Sequence, residues 1–300
     1  MLTALDCIPC FLRQALEAAR FATKNEAVHE QVIRHVLRMA AEMDLMQSPA
    51  AIAQKIHRML REISGIDDPY CTAKDQFNRL AIALLPDLTA KLEGARDPLM
   101  TAARLAIAGN TIDLGVNGKL TEAEVHAAFE QALSNPLVGD AEAFRQAVAE
   151  ATAILYLADN AGEIACDRLL IQQLLPVRVT LVVRGGAVIN DATRVDAEAA
   201  RLHELVEVIE NGSDAPGTIL SDCSEDFRKR FAEADLIIAK GQGNFETLSD
   251  AEANIFFLFK VKCPVIAAHV GLPVGTHVLT RSRPISAPTG GPADLARHQR

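Results

Sequence analysis

The hydrophobic pattern of the chain changes near residue 150. Before this point, apolar residues recur at helical spacing; Val28, Val32 and Val36, for example, lie on one face of a predicted helix. Capping residues mark several of the helix ends, including a Ser48-Pro49 start. Helices are predicted after Asp6 and over Asn25–Met43, Ser48–Gly65 and about 72–92, 98–108, 122–133 and 140–151.

After residue 152, short apolar runs alternate with helical stretches. Strands are predicted at 153–158, 177–183, 205–209, 235–239 and 264–268, with a last short strand near 276–279. Helices are predicted between them at about 162–175, 191–204, 225–233 and 248–260. Strands separated by single helices imply right-handed crossovers and a mainly parallel sheet.

The pattern therefore predicts an α/β protein with two domains. A helical N-terminal domain over 1–150 precedes a three-layer, Rossmann-like α/β domain over 151–280. Residues 281–300 are rich in Pro, Gly and Ser and are expected to form a mobile tail.

Polar residues follow the first two predicted strands of the α/β domain. Asp159 and Asn160 come directly after the run 153–158, and Asp191 follows the run 177–183. In open parallel sheets, ligands bind beyond the carboxyl ends of the strands. Carboxylate and amide oxygens suit Mg²⁺ or Mn²⁺ better than zinc. The same residues could instead cap the helices that follow, and spacing alone slightly favours capping.

Three further charged residues lie close to these strand ends. Glu163 and Asp167 could supply a general base and a supporting carboxylate, and Arg184 a cation that faces phosphate. The alternative is an ordinary pair of like charges beside a surface arginine. Like charges at i,i+4 are mildly unfavourable unless a cation offsets them, so the pattern leans toward function.

Two glycine-containing segments could bind an anion. Lys240-Gly241-Gln242-Gly243-Asn244 follows the run 235–239, and its glycines would let the backbone approach an anion closely. It is neither a Walker A loop nor a complete G-x-G-x-x-G motif, and a tight turn is the alternative. Gly109-Asn110, with Asp113 downstream, fits an ordinary helix C-terminus better than a functional site.

Composition narrows the class of protein. The formal net charge of −9 argues against nucleic acid as the main partner, because phosphate backbones are bound by clustered Lys and Arg. No secretory signal is recognisable, and the apolar runs are too short to span a membrane. The six cysteines are too dilute for a disulfide scaffold, so a cytoplasmic location is expected.

Cys7-Ile8-Pro9-Cys10 has the spacing of a metal or redox site. A zinc site would need further ligands, for which Cys71 and His57 are conceivable. One isolated C-x-x-C is weak support, and buried apolar cysteines are a serious alternative.

Taken together, these motifs resemble domain-of-unknown-function family 89, the damage-control phosphatases with an acidic-residue-methyltransferase-like metal-binding fold. The resemblance covers about residues 5 to 280, and the N-terminal Asp6-Cys7-x-x-Cys10 is similar to a prokaryotic branch that carries C-x-x-C. The motifs that carry it are Asp159-Asn160-Ala161-Gly162-Glu163 with Asp167, Arg184, Asn190-Asp191, Lys240-Gly241-Gln242-Gly243-Asn244-Phe245-Glu246 and Gly109-Asn110-x-x-Asp113.

The resemblance implies a helical domain packed on a parallel-sheet domain, and a phosphatase acting on small phosphorylated metabolites such as sugar phosphates. It also implies a divalent metal ion (Mn, Ni, Co or Mg) held by Asp159, Asn160 and Asp191. The leading hypothesis is a metal-dependent phosphomonoesterase in which the nucleophile is water or Asp159 itself. The same hypothesis assigns Glu163 and Asp167 as catalytic residues. The residues that it assigns to phosphate or substrate binding are Asn110, Asp113, Arg184, Lys240, Gly241, Gly243 and Asn244.

Further expectations and two alternatives remain at this stage. Lys74 and Asn78 are expected to close over the organic part of the substrate, and Cys7, Cys10 and Cys71 could form a second metal or redox site. One alternative is a methyltransferase or nucleotide-binding protein that uses the same sheet edge. The other is a non-enzymatic metal or redox sensor that acts through the C-x-x-C motif. The sequence does not predict the oligomeric state.

Overall fold

The structure, a computed structural model, describes residues 1–110 and 122–282 and is built around a seven-stranded sheet. The strands are β1 (Leu137–Gly139), β2 (Ala153–Leu157), β3 (Arg178–Val183), β4 (Glu207–Glu210), β5 (Leu236–Lys240), β6 (Ile255–Lys260) and β7 (His277–Arg281). Their order across the sheet is β1-β7-β6-β5-β2-β3-β4. Neighbouring strands are parallel except β6 and β7, so the predicted α/β class with a mainly parallel sheet is confirmed.

Some helices pack against this sheet, and others form a separate group at the N-terminus. They are α1 (Cys7–Ala22), α2 (Glu26–Ala41), α3 (Pro49–Ser64), α4 (Cys71–Glu93), α5 (Pro98–Ala108), α6 (Glu122–Ser134), α7 (Ala141–Glu150), α8 (Glu163–Leu174), α9 (Arg194–Ala199), α10 (Glu225–Glu233), α11 (Gly241–Leu248) and α12 (Pro264–Val270). The start of α3 shows why the boundaries are readable, because the Ala51 amide donates to Ser48 Oγ and Pro49 occupies the first turn.

The central strands are buried on both faces. In β2, Ile154 and Tyr156 belong to a core shared with α4–α8, whereas Leu155 and Leu157 belong to a core shared with α10–α12. The sheet is therefore the middle of three layers.

Helices α1–α3 enclose a third, smaller core. Residues 1–150 are thus divided between two cores, since α4–α7 pack with the sheet. Helices α1 and α3 of the smaller core lie beside the edge of the sheet where the sequence predicts the metal site.

Two sequence predictions in the C-terminal part are wrong. Residues 255–260 form β6 where a helix over 248–260 was predicted, and residues 264–270 form α12 where a strand over 264–268 was predicted. Because β6 is buried on both faces, its first five residues, IFFLF, are all apolar and show no alternation. Pro264, in the first turn of α12, is the helix-start signal that the prediction missed. The three-residue β1 was not predicted either.

None of the helices within residues 1–110 and 122–282 has the length and apolar character that a membrane span requires. Most of the segment predicted as a mobile tail, from residue 283 onward, lies outside the described residues.

Candidate active site

The loops after β2 and β3 bring Asp159, Asn160 and Asp191 together. A backbone bridge joins Asn160 to Asp191. The Ala192 amide donates to the Asp159 carbonyl at 2.8 Å, and the Ala161 amide donates to the Asn190 carbonyl at 2.8 Å. The two loops therefore hold the three predicted metal-binding side chains at one edge of the sheet.

The alternative reading of these residues as helix caps is wrong. Helix α8 begins at Gly162 without a side-chain cap, and α9 begins at a capping box formed by Thr193 and Asp196. Since Asp159, Asn160 and Asp191 cap neither helix, their buried polar side chains need another explanation.

The hydrogen bonds of Asn160 determine which of its atoms is available to a ligand. Its Nδ2 donates to Asp159 Oδ2 at 2.7 Å and to Glu163 Oε2 at 3.1 Å. Asn110 Nδ2 donates to the same two carboxylate oxygens, at 3.2 and 2.8 Å. Both amides thus point their N–H groups at acids, which leaves Asn160 Oδ1 as the acceptor that can meet a cation.

Arg184 fixes the orientation of Asp191. Its Nε donates to Asp191 Oδ2 at 2.7 Å, and its Nη1 donates to Thr218 Oγ1 and Asn244 Oδ1 at 3.3 Å each. Arg184 Nη2 is buried and has no partner within the described part of the chain. The guanidinium therefore serves mainly to hold Asp191, and its predicted contact with phosphate stays a prediction.

Lys240 lies behind the site and forms an ion-pair network with two acids. Its Nζ donates to Glu163 Oε1 at 2.7 Å, to Asp167 Oδ1 at 2.5 Å and to the Ala106 carbonyl at 2.9 Å. Tyr156 adds a hydrogen bond from its hydroxyl to Asp167 Oδ1 at 2.8 Å. All three ammonium protons are used, so Lys240 is the cation that offsets the Glu163–Asp167 pair.

The β5–α11 turn is locked against Asp159. Gly241 has φ +80°, and a Cβ atom there would lie 2.0 Å from the Asp159 carboxylate. Asn244 Nδ2 donates to the carbonyls of Ala158 and Lys240, at 3.2 and 2.7 Å. Asn244 thus ties the turn to the end of β2 rather than presenting donors to a ligand.

A cavity of about 380 Å³ opens over the three predicted metal-binding residues. Its walls come from α1, α3, the β2 and β3 loops, α11 and the start of α12. Among the described residues predicted to bind phosphate, only Gly243 lines it. Glu163, Asp167 and Lys240 do not, and each is at most 1% exposed.

The electrostatics of this cavity favour a bound cation. Burial, followed by the charges of Glu163 and Asp191, raises the pKa of Asp159 well above its usual range. Burial also raises the pKa of Asp191, although the Arg184 guanidinium opposes the shift. Burial raises the pKa of Asp167 to about 6, against the opposing charge of Lys240. A divalent cation beside Asp159 and Asp191 would offset the repulsion between these carboxylates.

The three cysteines predicted to form a second metal or redox site do not all line the cavity. Cys7 and Cys10 line the cavity together with Cys263, whereas Cys71 is exposed at the start of α4 and does not line it. Within the described ranges, no group of three or more His, Cys, Asp or Glu side chains is arranged around a metal position. The predicted metal centre consists of two acids and one amide, a donor set outside that description.

Lys74 and Asn78 are structural and do not reach the cavity. Lys74 Nζ lies 3.1 Å from Asp196 Oδ2 and 3.3 Å from Asp68 Oδ2. Asn78 Nδ2 donates to Asp196 Oδ1 at 2.8 Å, and its Oδ1 accepts the Gly162 amide at 2.7 Å. The expectation that they close over a substrate is therefore not supported; they join α4 to the start of α8 and α9.

The Asn78 contacts give a stability prediction. Replacing Asn78 with alanine should lower the free energy of unfolding by about 1–3 kcal/mol, because it leaves the buried Gly162 amide and an Asp196 oxygen without this partner. Urea unfolding followed by circular dichroism measures the change. The control is Asp75→Asn in the same helix, where an exposed i,i+4 pair with Arg79 is expected to contribute less than about 0.5 kcal/mol. Equal effects in the two variants would contradict the structural role of Asn78.

Several cavity residues were not found from the sequence, and Lys262 and Ile189 are two examples. Lys262 follows β6 and lines the cavity, but the segment before it was read as a helix, so its position at a strand end was missed. Ile189 lines the cavity with φ +45°, a backbone conformation that β-branched residues rarely adopt. No sequence signal marks this strain. Asp113, predicted to bind substrate, lies outside the described residues.

Comparison with known proteins identifies the family of this chain. Residues 3–278 match the family model described as the damage-control phosphatase ARMT1-like domain. The chain belongs to this family. The predicted family membership and the predicted damage-control phosphatase type are thereby confirmed.

Relatives of similar length support the family assignment. A damage-control phosphatase from Archaeoglobus fulgidus is 36% identical over 91% of this chain and 96% of its own. One from Pyrococcus horikoshii is 32% identical, over 93% and 97% of the two chains. The crystal structure of a DUF89 family protein from P. horikoshii has a TM-score of 0.87 at 30% identity, covering 94% of this chain and all of that one.

Proposed function

We propose that this family member is a divalent-metal-dependent phosphomonoesterase that hydrolyses small phosphorylated metabolites. The observation that carries the proposal is the convergence of Asp159, Asn160 and Asp191 at the base of one cavity. Hard oxygen donors of this kind suit Mg²⁺ or Mn²⁺. The cavity volume of about 380 Å³ suits a small metabolite better than a macromolecule.

The surrounding residues orient these donors toward a cation. Asn110 and Asn160 both donate to Asp159 Oδ2, and Arg184 donates to Asp191 Oδ2. These bonds engage one oxygen of each carboxylate, and the second oxygen, Oδ1, is the proposed metal ligand. When bound, the metal ion would neutralise charge on the phosphate and polarise its P–O bonds.

The N-terminus of α11 is the proposed phosphate subsite. The first amides of a helix lack intrahelical acceptors and attract anions. In α11 these amides belong to Gly241, Gln242 and Gly243, and the last two of these residues line the cavity. Lys262 adds a positive charge to the same wall. This subsite replaces the predicted use of Lys240 and Asn244, whose side-chain donors are already bonded within the protein.

Glu163 and Asp167 are proposed to position other groups rather than to transfer protons. Glu163 accepts from Asn110, Asn160 and Lys240, and Asp167 accepts from Tyr156 and Lys240. Neither lines the cavity. The proposed nucleophile is a water in the cavity or the carboxylate of Asp159, which lines the cavity.

Metal removal tests the proposal. We expect the purified protein to hydrolyse p-nitrophenyl phosphate and members of a phosphometabolite panel. Activity should fall to background after treatment with EDTA and return on addition of Mn²⁺, Co²⁺, Ni²⁺ or Mg²⁺. Elemental analysis of the untreated protein identifies the metal ion that it carries.

Calcium and S-adenosylmethionine serve as controls for this experiment. Restoration by any dication, including Ca²⁺, would indicate a structural effect of charge rather than a catalytic metal ion. Undiminished hydrolysis without metal would contradict the proposal. Tight binding of S-adenosylmethionine together with no hydrolysis across the panel would favour the methyltransferase alternative instead.

A further inference from the structure

Three cysteines form one wall of the active-site cavity. Cys7 and Cys10 lie one helical turn apart at the start of α1, and Cys263 is the N-cap residue of α12. All three are partly exposed and line the cavity that contains Asp159 and Asp191. We refer to them as the thiol wall. Its members come from two different cores, since α1 packs in the N-terminal core and α12 packs against the sheet.

The hydrogen bonds and charges around these thiols differ from one thiol to the next. Gln242 Nε2 donates to Cys263 Sγ at 3.7 Å, and Arg13 Nη2 donates to Cys10 Sγ at 3.7 Å. Burial raises the pKa of Cys7, as do the charges of Glu246, Cys263 and Cys10, which suits Cys7 to the second, resolving step of a disulfide reaction rather than to the first. Among the residues that the structure describes, no three His, Cys, Asp or Glu side chains are placed so that they could hold a metal ion, and this includes the thiol wall.

We propose that the thiol wall is a redox modification site at which Cys7 and Cys263 form a reversible disulfide under hydroperoxide. This bond would tie α1 to α12 along this wall and close the cavity to substrate. A Cys7–Cys10 bond would lie within one turn of a single helix and would leave the cavity open. Because a disulfide fixes its two Cα atoms at about 5.5–6 Å, the Cys7–Cys263 bond would hold the N-terminal helices against the α/β core.

The chemistry requires one hydroperoxide for each disulfide. The Cys263 thiolate, which accepts the Gln242 hydrogen bond, attacks one peroxide oxygen; the S–O bond forms, the O–O bond breaks, and hydroxide leaves as water after protonation. Cys7 then loses its proton and attacks the Cys263 sulfur. The S–S bond forms, the S–O bond breaks and a second water leaves. The two sulfurs lose two electrons, which the peroxide gains.

Peptide mapping tests the bond without reference to activity. The full-length protein is treated with hydrogen peroxide, alkylated, digested without reductant and analysed by mass spectrometry. We expect a Cys7–Cys263 cross-linked peptide in the unmodified protein and in the Cys10→Ser and Cys71→Ser variants. The Cys7→Ser and Cys263→Ser variants should lack it. A Cys7–Cys10 disulfide, or only sulfinic acids at these positions, would overturn the proposal.

The closure of the cavity to substrate rests on the proposed function. It is measured separately from the formation of the disulfide. Peroxide should lower kcat/KM for p-nitrophenyl phosphate by about tenfold or more, as expected when access or alignment is disturbed, and dithiothreitol should reverse the loss. Each variant is compared with its own reduced form, and Cys7→Ser and Cys263→Ser should resist peroxide. If the reduced protein has no phosphatase activity, the proposed function fails while the cross-link result still decides the modification site. A cross-link that leaves kcat/KM unchanged would overturn the closure.

Discussion

Asp159→Asn is expected to remove hydrolysis of p-nitrophenyl phosphate, with kcat/KM falling by at least about 10³-fold, as when a group that stabilises developing charge is lost. The substitution keeps the size of the side chain but removes its negative charge. Burial and the charges of Glu163 and Asp191 oppose ionisation of Asp159, so the variant should fold at least as stably as the wild-type protein. Steady-state kinetics and urea unfolding test these two expectations, and elemental analysis tests whether the metal ion is lost together with the charge.

Asp191 requires the same conservative substitution for a different reason. Its Oδ2 accepts from the buried Arg184 Nε at 2.7 Å. Asp191→Ala would leave that guanidinium charge uncompensated, which costs about 3–5 kcal/mol in buried pairs. Asp191→Asn retains an acceptor for Arg184 and should lose metal ion and activity with a smaller loss of stability. Alanine alone would therefore confuse unfolding with loss of the metal ion.

Asp6→Asn is the matched control for both substitutions. Asp6 is exposed and lines the same cavity, but its side chain does not cap α1. It should retain the metal ion and activity. If Asp159→Asn and Asp191→Asn keep full metal content and full activity, the assignment of these residues as metal ligands is wrong.

The position of the proposed metal-binding residues could be predicted because a parallel sheet brings the carboxyl ends of its strands to one edge. Once β2 and β3 were recognised as neighbours, Asp159 and Asp191 had to lie at the same edge. Their separation by about thirty residues is a consequence of one β-α-β unit. The spacing left capping open, and that ambiguity was resolved only by Gly162 and Thr193, which begin the two helices.

The partners of the buried charges could not be predicted from the chain. The sequence context of Lys240 is typical of a phosphate-binding residue, since Lys240 ends a strand beside two glycines. Whether its ammonium reaches a ligand depends on the position of α8, which places Glu163 and Asp167 beside it. Such pairing is decided by packing between elements that are more than seventy residues apart. Sequence identifies the charged residues at this edge, and the structure separates those that line the cavity from those that support it.

The division of the N-terminal helices between two cores could not be predicted from the sequence either, because it also depends on packing between elements. Each of α4–α7 has an apolar face, and that face can pack on other helices or on a sheet without a change of pattern. The strand β6 lost its alternation because both of its faces are buried. That misreading also concealed Lys262 as a strand-end residue.

Gly241→Ala is expected to lower activity strongly, although less than substitution of a proposed metal ligand. The added Cβ would lie 2.0 Å from the Asp159 carboxylate, so either the carboxylate or the start of α11 must move. Both the proposed metal site and the proposed phosphate subsite would then lose their geometry. We expect kcat/KM to fall by about 100-fold or more, which is the scale of a displacement of about 1 Å in an active site.

Gly65→Ala separates this steric effect from backbone strain. Gly65 ends α3 with φ +70°, close to the φ of Gly241, but a Cβ atom there meets nothing within 4 Å. Both variants should therefore lose about 1–2 kcal/mol of stability from the left-handed backbone. Gly241→Ala should lose more than this because of its steric clash, and only Gly241→Ala should lose activity. Equal activity in the two variants would show that the close approach of Gly241 to Asp159 is not needed for hydrolysis. A large loss confined to Gly241→Ala would show that this glycine holds the catalytic carboxylate in place, a role that its position in a glycine-rich turn does not reveal.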